Sequence, residues 1–317
     1  MRLRRRVIAL VAGGWLLSCA GADAQQPERG QGPAPSPAAD VARVMTDVKY
    51  GPHPRNLMDV WLARADKPTP VLVSIHGGAF RNGTKSVEPA LRDRCLAAGI
   101  SVVAITYRLS QDAIAPAAFH DSARAIQFIR HNATEWNLDP QRIAATGGSA
   151  GAGLALWLGF RDDLADPGNP DPVLRQSSRL SGMVVNDGQS SYDPRVIRDL
   201  FRGTDTYKHP ALAQLYDVDL DQLDKLTKEK YKLFEDVSPI NHLTKDDPPA
   251  RLSYGIPLNT QVTDLQIGAH HPKFGVMLKA KMDALGIRCE LYVSGEKIGG
   301  GNTTLPFEFL KQVLGVR

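Results

Sequence analysis

The run Gly147-Gly148-Ser149-Ala150-Gly151 constrains the fold more than any other stretch of the chain. It follows an apolar, alanine-rich segment at 142–146 and leads into a helical pattern, so a serine stands at a strand-to-helix turn between small residues. Such a turn is strained, and bulky neighbours would clash where the serine oxygen projects. A G-x-S-x-G pentapeptide alone is weak evidence, because glycine-rich turns of this kind also cradle phosphates or simply pack tightly. The strand before it and the helix after it select the reading in which Ser149 is a nucleophile. The helix start, with its unpaired amides and positive dipole end, then favours negative charge on a nearby oxygen.

The turn belongs to a longer alternation. Short apolar runs rich in Val and Ile at 70–75, 101–106, 142–146 and 182–185 read as strands buried on both faces, and the strand pattern resumes at 250–254 and 288–293. Helical patterns at 87–98, 116–136, 274–285 and 306–314 lie among them; in the second, Phe119, Ala123, Ile126 and Ile129 share one face. Residues 41–50 and 57–62 form an expected opening hairpin, split by Gly51-Pro52-His53-Pro54. The expected fold class is α/β: a mostly parallel central sheet of about eight strands flanked by helices. Residues 188–247 interrupt this rhythm. They are polar, lack a strand signal, carry helical stretches around 193–201 and 220–233, and are expected to form a helical cap over the carboxyl edge of the sheet.

The 317 residues, 43% of them hydrophobic, suffice for one large domain, expected over 41–317. Residues 1–24 read as a signal peptide: Arg2, Arg4, Arg5 and Arg6, an apolar run at 7–17, then small residues ending in Ala22-Asp23-Ala24. That implies export to the periplasm or medium. Leu16-Leu17-Ser18-Cys19 also resembles a lipoprotein box, and lipidation at Cys19 would place the protein on a membrane. Residues 25–40, rich in Pro, Gly and Gln, are expected to be a disordered leader. Without residues 1–24 the formal net charge of +4 falls to about +1, which gives no electrostatic reason to bind nucleic acid or a membrane surface. Cys95 and Cys289 make no disulfide framework and read as small buried hydrophobes. No Cys/His cluster has zinc-ligand spacing, so neither a metal nor another cofactor is expected. Oligomeric state is not legible.

His76-Gly77-Gly78-Ala79-Phe80 directly follows the strand at 70–75. Glycines let main chain approach a substrate, so the amides of Gly77 and Gly78, with that of Ala150, are the expected oxyanion hole. Together with Tyr107-Arg108-Leu109 and the stretch from Glu135 to Ile143 that precedes the elbow, these motifs resemble the bacterial esterase/lipase group of α/β-hydrolases. That group includes hormone-sensitive-lipase-like and feruloyl- or acetylxylan-esterase-like members. The resemblance runs from about 45 to 315 and is most specific over 70–155. It implies cofactor-free hydrolysis of a carboxylic ester, on a small molecule or a polysaccharide, through an acyl-enzyme on Ser149.

The same resemblance exposes a gap. The group orders its triad as serine, an acid after the seventh strand and a histidine after the eighth. Here no histidine follows His271, and Asn302 lies about where the base is expected; an asparagine cannot take the serine proton. His270 and His271, one loop earlier, are the candidate bases, with Asp264 or Asp187 as the orienting carboxylate, because triads are defined by geometry rather than chain position. The other reading of both histidines is a helix cap or pocket wall. A second function class stays open: a catalytically impaired hydrolase-fold protein that binds an ester or carbohydrate ligand.

Overall fold

The computed structural model describes residues 41–317; the expected signal peptide, leader and Cys19 lie outside the described residues. The chain opens with β1 (Val41–Lys49), β2 (Leu57–Ala63) and β3 (Thr69–Ile75), then alternates through α1 (Pro89–Ala97), β4 (Ser101–Ile105), α2 (Ala117–His131), β5 (Leu138–Gly148), α3 (Ala150–Phe160) and β6 (Gly182–Asn186). After a helical insertion come β7 (Ala250–Tyr254), the short α7 (Leu265–Ala269), α8 (Lys273–Ala284), β8 (Cys289–Val293), β9 (Glu296–Ile298) and α9 (Pro306–Val313). The insertion holds α4 (Pro194–Leu200), α5 (Pro210–Tyr216) and α6 (Lys228–Asp236).

The strands form one sheet in the order β1-β2-β4-β3-β5-β6-β7-β8-β9. The six strands from β4 to β8 in that order are parallel, and the antiparallel pairs sit at the two ends. This is an α/β-hydrolase sheet with one strand more than the eight or so expected. The extra strand, β9, pairs back on β8 through the two-residue turn Ser294-Gly295, with Val293 opposite Glu296. Both turn residues have positive φ, 49° and 85°, the geometry that matches the twist of a tight hairpin. A Ser-Gly dipeptide between two short runs is a turn signal.

Burial on both faces explains the unbroken apolar runs. Val71, Val73 and Ile75 of β3 point into the larger core, with Phe119 and Ile126 of α2 and Leu154, Trp157 and Leu158 of α3. Leu72, one residue out of phase, joins Cys95 and Phe309 on the opposite face under α1 and α9. Period-two alternation along a doubly covered strand produces this split. Every residue of α3 is buried, and each of its leucines contributes about 1.5–3 kcal/mol of apolar burial. Cys95 and Cys289 are buried free thiols, pushed up to about 12 by desolvation, so they behave as small hydrophobes.

In the insertion, the single helix expected around 220–233 is instead a 3-10 turn at Leu220–Lys225 followed by α6. Thr227 separates them and caps α6 by accepting the amide of Lys230, as hydroxyl residues do at helix starts. Helix α5, which carried no sequence signal, starts at Pro210 with His209 as its cap.

Candidate active site

Strand register brings the two glycine motifs together. Ile75, the last residue of β3, pairs with Gly147 of β5. Two residues further along each strand, Gly77 and Ser149 therefore emerge side by side at the carboxyl edge. The chain leaves β3 toward β4 on one side and resumes at β5 on the other, so this edge is a topological switch point, the usual ligand crevice of open α/β sheets.

Ser149 has φ 52° and ψ −121°, a left-handed conformation that only surrounding structure can impose on a residue with a side chain. Its amide donates to Asn186 O (3.0 Å), and its carbonyl accepts from Gly153 in the first turn of α3. The flanking glycines are required by space. A Cβ on Gly147 would stand 2.7 Å from Ile75 O, and one on Gly151 would run into the same carbonyl.

Of the proposed bases, the structure brings His270 to the serine and not His271. His270 Nε2 is 2.9 Å from Ser149 Oγ, and its Nδ1 is 3.0 Å from Gln266 O. A carbonyl can only accept, so Nδ1 carries the ring proton and neutral Nε2 presents its lone pair to the serine hydroxyl. His271 is buried. Its Nε2 meets Thr260 O at 3.1 Å, and its Nδ1 accepts the amide of Lys273, which makes it a loop tie ahead of α8. Burial holds it below the ordinary histidine range.

Neither proposed carboxylate orients His270. Asp264 caps α7: its Oδ1 accepts the amides of Gln266 (2.8 Å) and Ile267 (2.9 Å). Asp187 Oδ1 accepts the amide of Gly255. The helix itself takes the orienting place, since Gln266 O receives both the His270 amide (3.1 Å) and Nδ1–H. Pairing with a neutral carbonyl fixes the tautomer without placing a fixed negative charge beside the ring. Asn302 is exposed beyond β9, where its carbonyl takes Lys297 Nζ.

The loop at 76–80, where the oxyanion donors are expected, is tightly folded. Gly78, Ala79 and Phe80 have φ of 102°, 55° and 60°, and Tyr107 Oη donates to His76 O (2.9 Å) while its ring stacks on His76 at 4.3 Å. His76 is buried, and desolvation lowers it to about 4. With Nδ1–H on Gly77 O, its Nε2 is buried without a partner, so the ring is neutral. Gly78 and Ala150 line, with Ser149 and His270, a cavity of about 700 Å³. Gly77 lies just behind, where a Cβ would come within 3.6 Å of Ser149 Cβ.

The insertion supplies much of the rest of the wall: Gln189, Tyr192, Ile197, Thr206, His209 and Leu212. Gln189 is a site residue that sequence reading missed. Its Nε2 donates to Ala269 O, next to His270, and its Oε1 accepts from Tyr192 Oη, tying the insertion to the helix that carries the histidine. No motif announces such a contact.

Known esterases resemble this chain in sequence and fold. Esterase LipQ of Mycobacterium tuberculosis is 37% identical over 142 residues, 42% of this chain and 34% of that protein. Esterase LipC of the same organism is 27% identical over 212 residues, 66% and 49% of the two chains. The matches thus span about a third to a half of these relatives' length. A truncated carbohydrate esterase from gut microbiota superposes with a TM-score of 0.66 at 24% identity, over 88% of this chain and 96% of that one. Esterase 2 of Thermogutta terrifontis, with propionate bound, gives 0.56 at 20% identity, over 89% and 93%. Both share the fold. The BD-FAE family profile matches residues 58–257, spanning the loop at 76–80, the turn at Ser149 and the whole insertion, and the chain belongs to the BD-FAE family.

Proposed function

We propose that the protein hydrolyses carboxylic esters through an acyl-enzyme on Ser149, with His270 as base and Gly77, Gly78 and Ala150 as oxyanion donors. The observation that carries this is the 2.9 Å approach of His270 Nε2 to Ser149 Oγ, with the ring held in the proton-accepting tautomer. In this scheme Oγ attacks the ester carbonyl and its proton passes to Nε2. Negative charge collects on the carbonyl oxygen beside the main-chain amides of the loop and of the α3 start. His270 returns the proton to the departing alcohol; water then attacks the acyl group, with the same nitrogen as base. The esterase relatives support ester chemistry, and one of the similar solved structures is named a carbohydrate esterase. The competing reading, an impaired binding protein, rests on the missing histidine after β8; the approach of His270 to Ser149 supports the esterase reading instead.

A fluorophosphonate probe with turnover of short p-nitrophenyl esters tests the reading. Wild type labels and turns over; Ser149→Ala does neither. Equal labelling of both proteins would sink it. Export is proposed from the basic and apolar runs of residues 1–24. Mass spectrometry of protein recovered from the periplasm or medium reads it directly: a mature chain starting near residue 25 supports it, an intact Met1 opposes it.

A further inference from the structure

Among the described residues, Arg81 is the one charged side chain in the wall of the cavity over Ser149; His209 and His270 reach it as imidazoles, and no aspartate or glutamate does. The carboxylates nearest in sequence to wall residues are engaged elsewhere: Asp193 with Arg195 (2.6 Å), Asp205 with Lys208 (3.6 Å), Asp187 with the amide of Gly255 (3.0 Å) and Asp264 in its helix cap.

Arg81 directly follows the oxyanion loop. Its main chain is fixed at both ends, the amide donating to Gly78 O and the carbonyl accepting from Gln111 Nε2, both 2.9 Å. Its side chain is exposed, and among the described residues its guanidinium has no ion-pair or hydrogen-bond partner. Among the described residues most arginines are paired; Arg108, Arg124, Arg161 and Arg195 each hold a carboxylate at 2.6–2.7 Å. His209 adds a directed donor. Its Nδ1 accepts the amide of Ala211 (3.1 Å), which leaves the ring proton on Nε2. Burial first, then Arg81 and His270, holds this imidazole below its ordinary range, so it is a neutral donor that senses the guanidinium.

We infer that this cavity selects esters that carry an ionised carboxylate, with Arg81 as the residue that recognises it and His209 Nε2–H as the second donor. The inference rests on the reading of Ser149 and His270 as an esterase site. A guanidinium fork matches a carboxylate in two parallel hydrogen bonds. A single unpaired cation in a cleft without carboxylates sets the sign of the field that a ligand meets there. Cationic esters would be repelled by the same group, which adds discrimination.

The test compares 4-acetoxybenzoate with its neutral counterpart 4-acetoxybenzamide, and glutarate mono-p-nitrophenyl ester with p-nitrophenyl pentanoate. The pairs place the charge on the alcohol or on the acyl side. Binding is titrated calorimetrically on the Ser149→Ala protein, which cannot consume them. The anionic member of at least one pair is expected to bind at least about tenfold tighter, with the advantage shrinking between low and high salt. Arg81→Gln in the same background should bring the ratio to within about twofold, and Arg81→Glu should invert it. Equal binding within both pairs, or a preference that survives Arg81→Gln, overturns the inference. Turnover by wild type is read in parallel. If neither member of either pair is hydrolysed above the Ser149→Ala background, the nucleophile reading fails, while the titration still decides the charge selectivity.

Discussion

His270 Nε2 stands 2.9 Å from Ser149 Oγ, although His270 follows β7 and the histidine of the resembled esterase group follows β8. Helix α7 is what makes this possible. It is five residues long, ends at Ala269, and presents the next residue to the carboxyl edge of the sheet with its ring anchored on Gln266 O. His270→Ala should therefore lower kcat on p-nitrophenyl acetate by about 10³-fold or more, as loss of a serine's base does. His271→Gln should leave kcat within about threefold and lower the melting temperature instead, because it disturbs only the loop ties to Thr260 O and the Lys273 amide. Steady-state kinetics of both variants, with melting curves, separates the two; a catalytic loss confined to His271→Gln would reverse the assignment.

The strands, the elbow and the oxyanion loop were legible because each follows from local rules: unbroken Val/Ile runs for buried strands, and small residues where main chain must crowd. Ile75 opposite Gly147 then joins the two motifs with no further information. The base was legible only as a pair, His270 or His271, since one residue on a helix end rotates the side chain by about 100°. Asp264 misled for a definite reason. An aspartate immediately before a helical turn is both a plausible triad acid and a helix cap, and sequence does not show which amides it meets. Helix α5 and the Gln189 bond to Ala269 O depend on how the insertion folds onto the sheet, a tertiary fact without a periodic trace.

Asp264 acts on the site through the helix. Asp264→Ala removes the acceptor for the amides of Gln266 and Ile267, worth about 0.5–2 kcal/mol of stability for a lost cap. A triad acid would cost about 10⁴-fold in kcat; a cap that positions His270 indirectly should cost less than about tenfold. Asp264→Ser, which retains a capping oxygen, should recover most of both losses. A drop in kcat as severe as that of His270→Ala, unrescued by serine, would restore Asp264 as the acid.

Placing a histidine at the position that the family order suggests should achieve nothing. Asn302 is exposed, its carbonyl holds Lys297 Nζ at 2.7 Å, and no residue of the hairpin loop lines the cavity. The double variant His270→Ala/Asn302→His should stay as slow as His270→Ala alone. Recovery of activity would show that the loop reaches the serine.

Stability should fall in mild acid. His76 has a folded-state value of about 4 against 6.5 for a free imidazole. Between those values the unfolded chain binds a proton that the folded chain refuses, so stability is full above pH 6.5 and declines as pH drops toward 4. The loss from this group is about 2–3 kcal/mol. His120, His209, His242 and His271 are lowered in the same direction, chiefly by burial. Urea midpoints measured from pH 7 to pH 4 should fall, and His76→Asn should flatten the slope. An unchanged slope would mean that His76 is protonated in the folded protein.

The distance between oxyanion loop and nucleophile is set by a contact that tolerates no methyl group. A Cβ at Gly151 would meet Ile75 O and, at 2.7 Å, His76 O, and both carbonyls belong to the backbone that leads into Gly77 and Gly78. Gly151→Ala must push α3 away from β3 or bend the loop, an overpacking cost of about 1–3 kcal/mol. Because α3 begins at Ala150, the same shift carries an oxyanion amide away from the serine, so kcat should fall more than stability alone explains. Gly168→Ala is the control: its Cβ would find only Asp166 Oδ1, at 3.7 Å, and a surface change of that kind stays within about 0.5 kcal/mol. Chemical denaturation and kcat measured on both variants test the coupling. A Gly151→Ala protein that is destabilised yet fully active would show that the loop and the elbow are positioned independently.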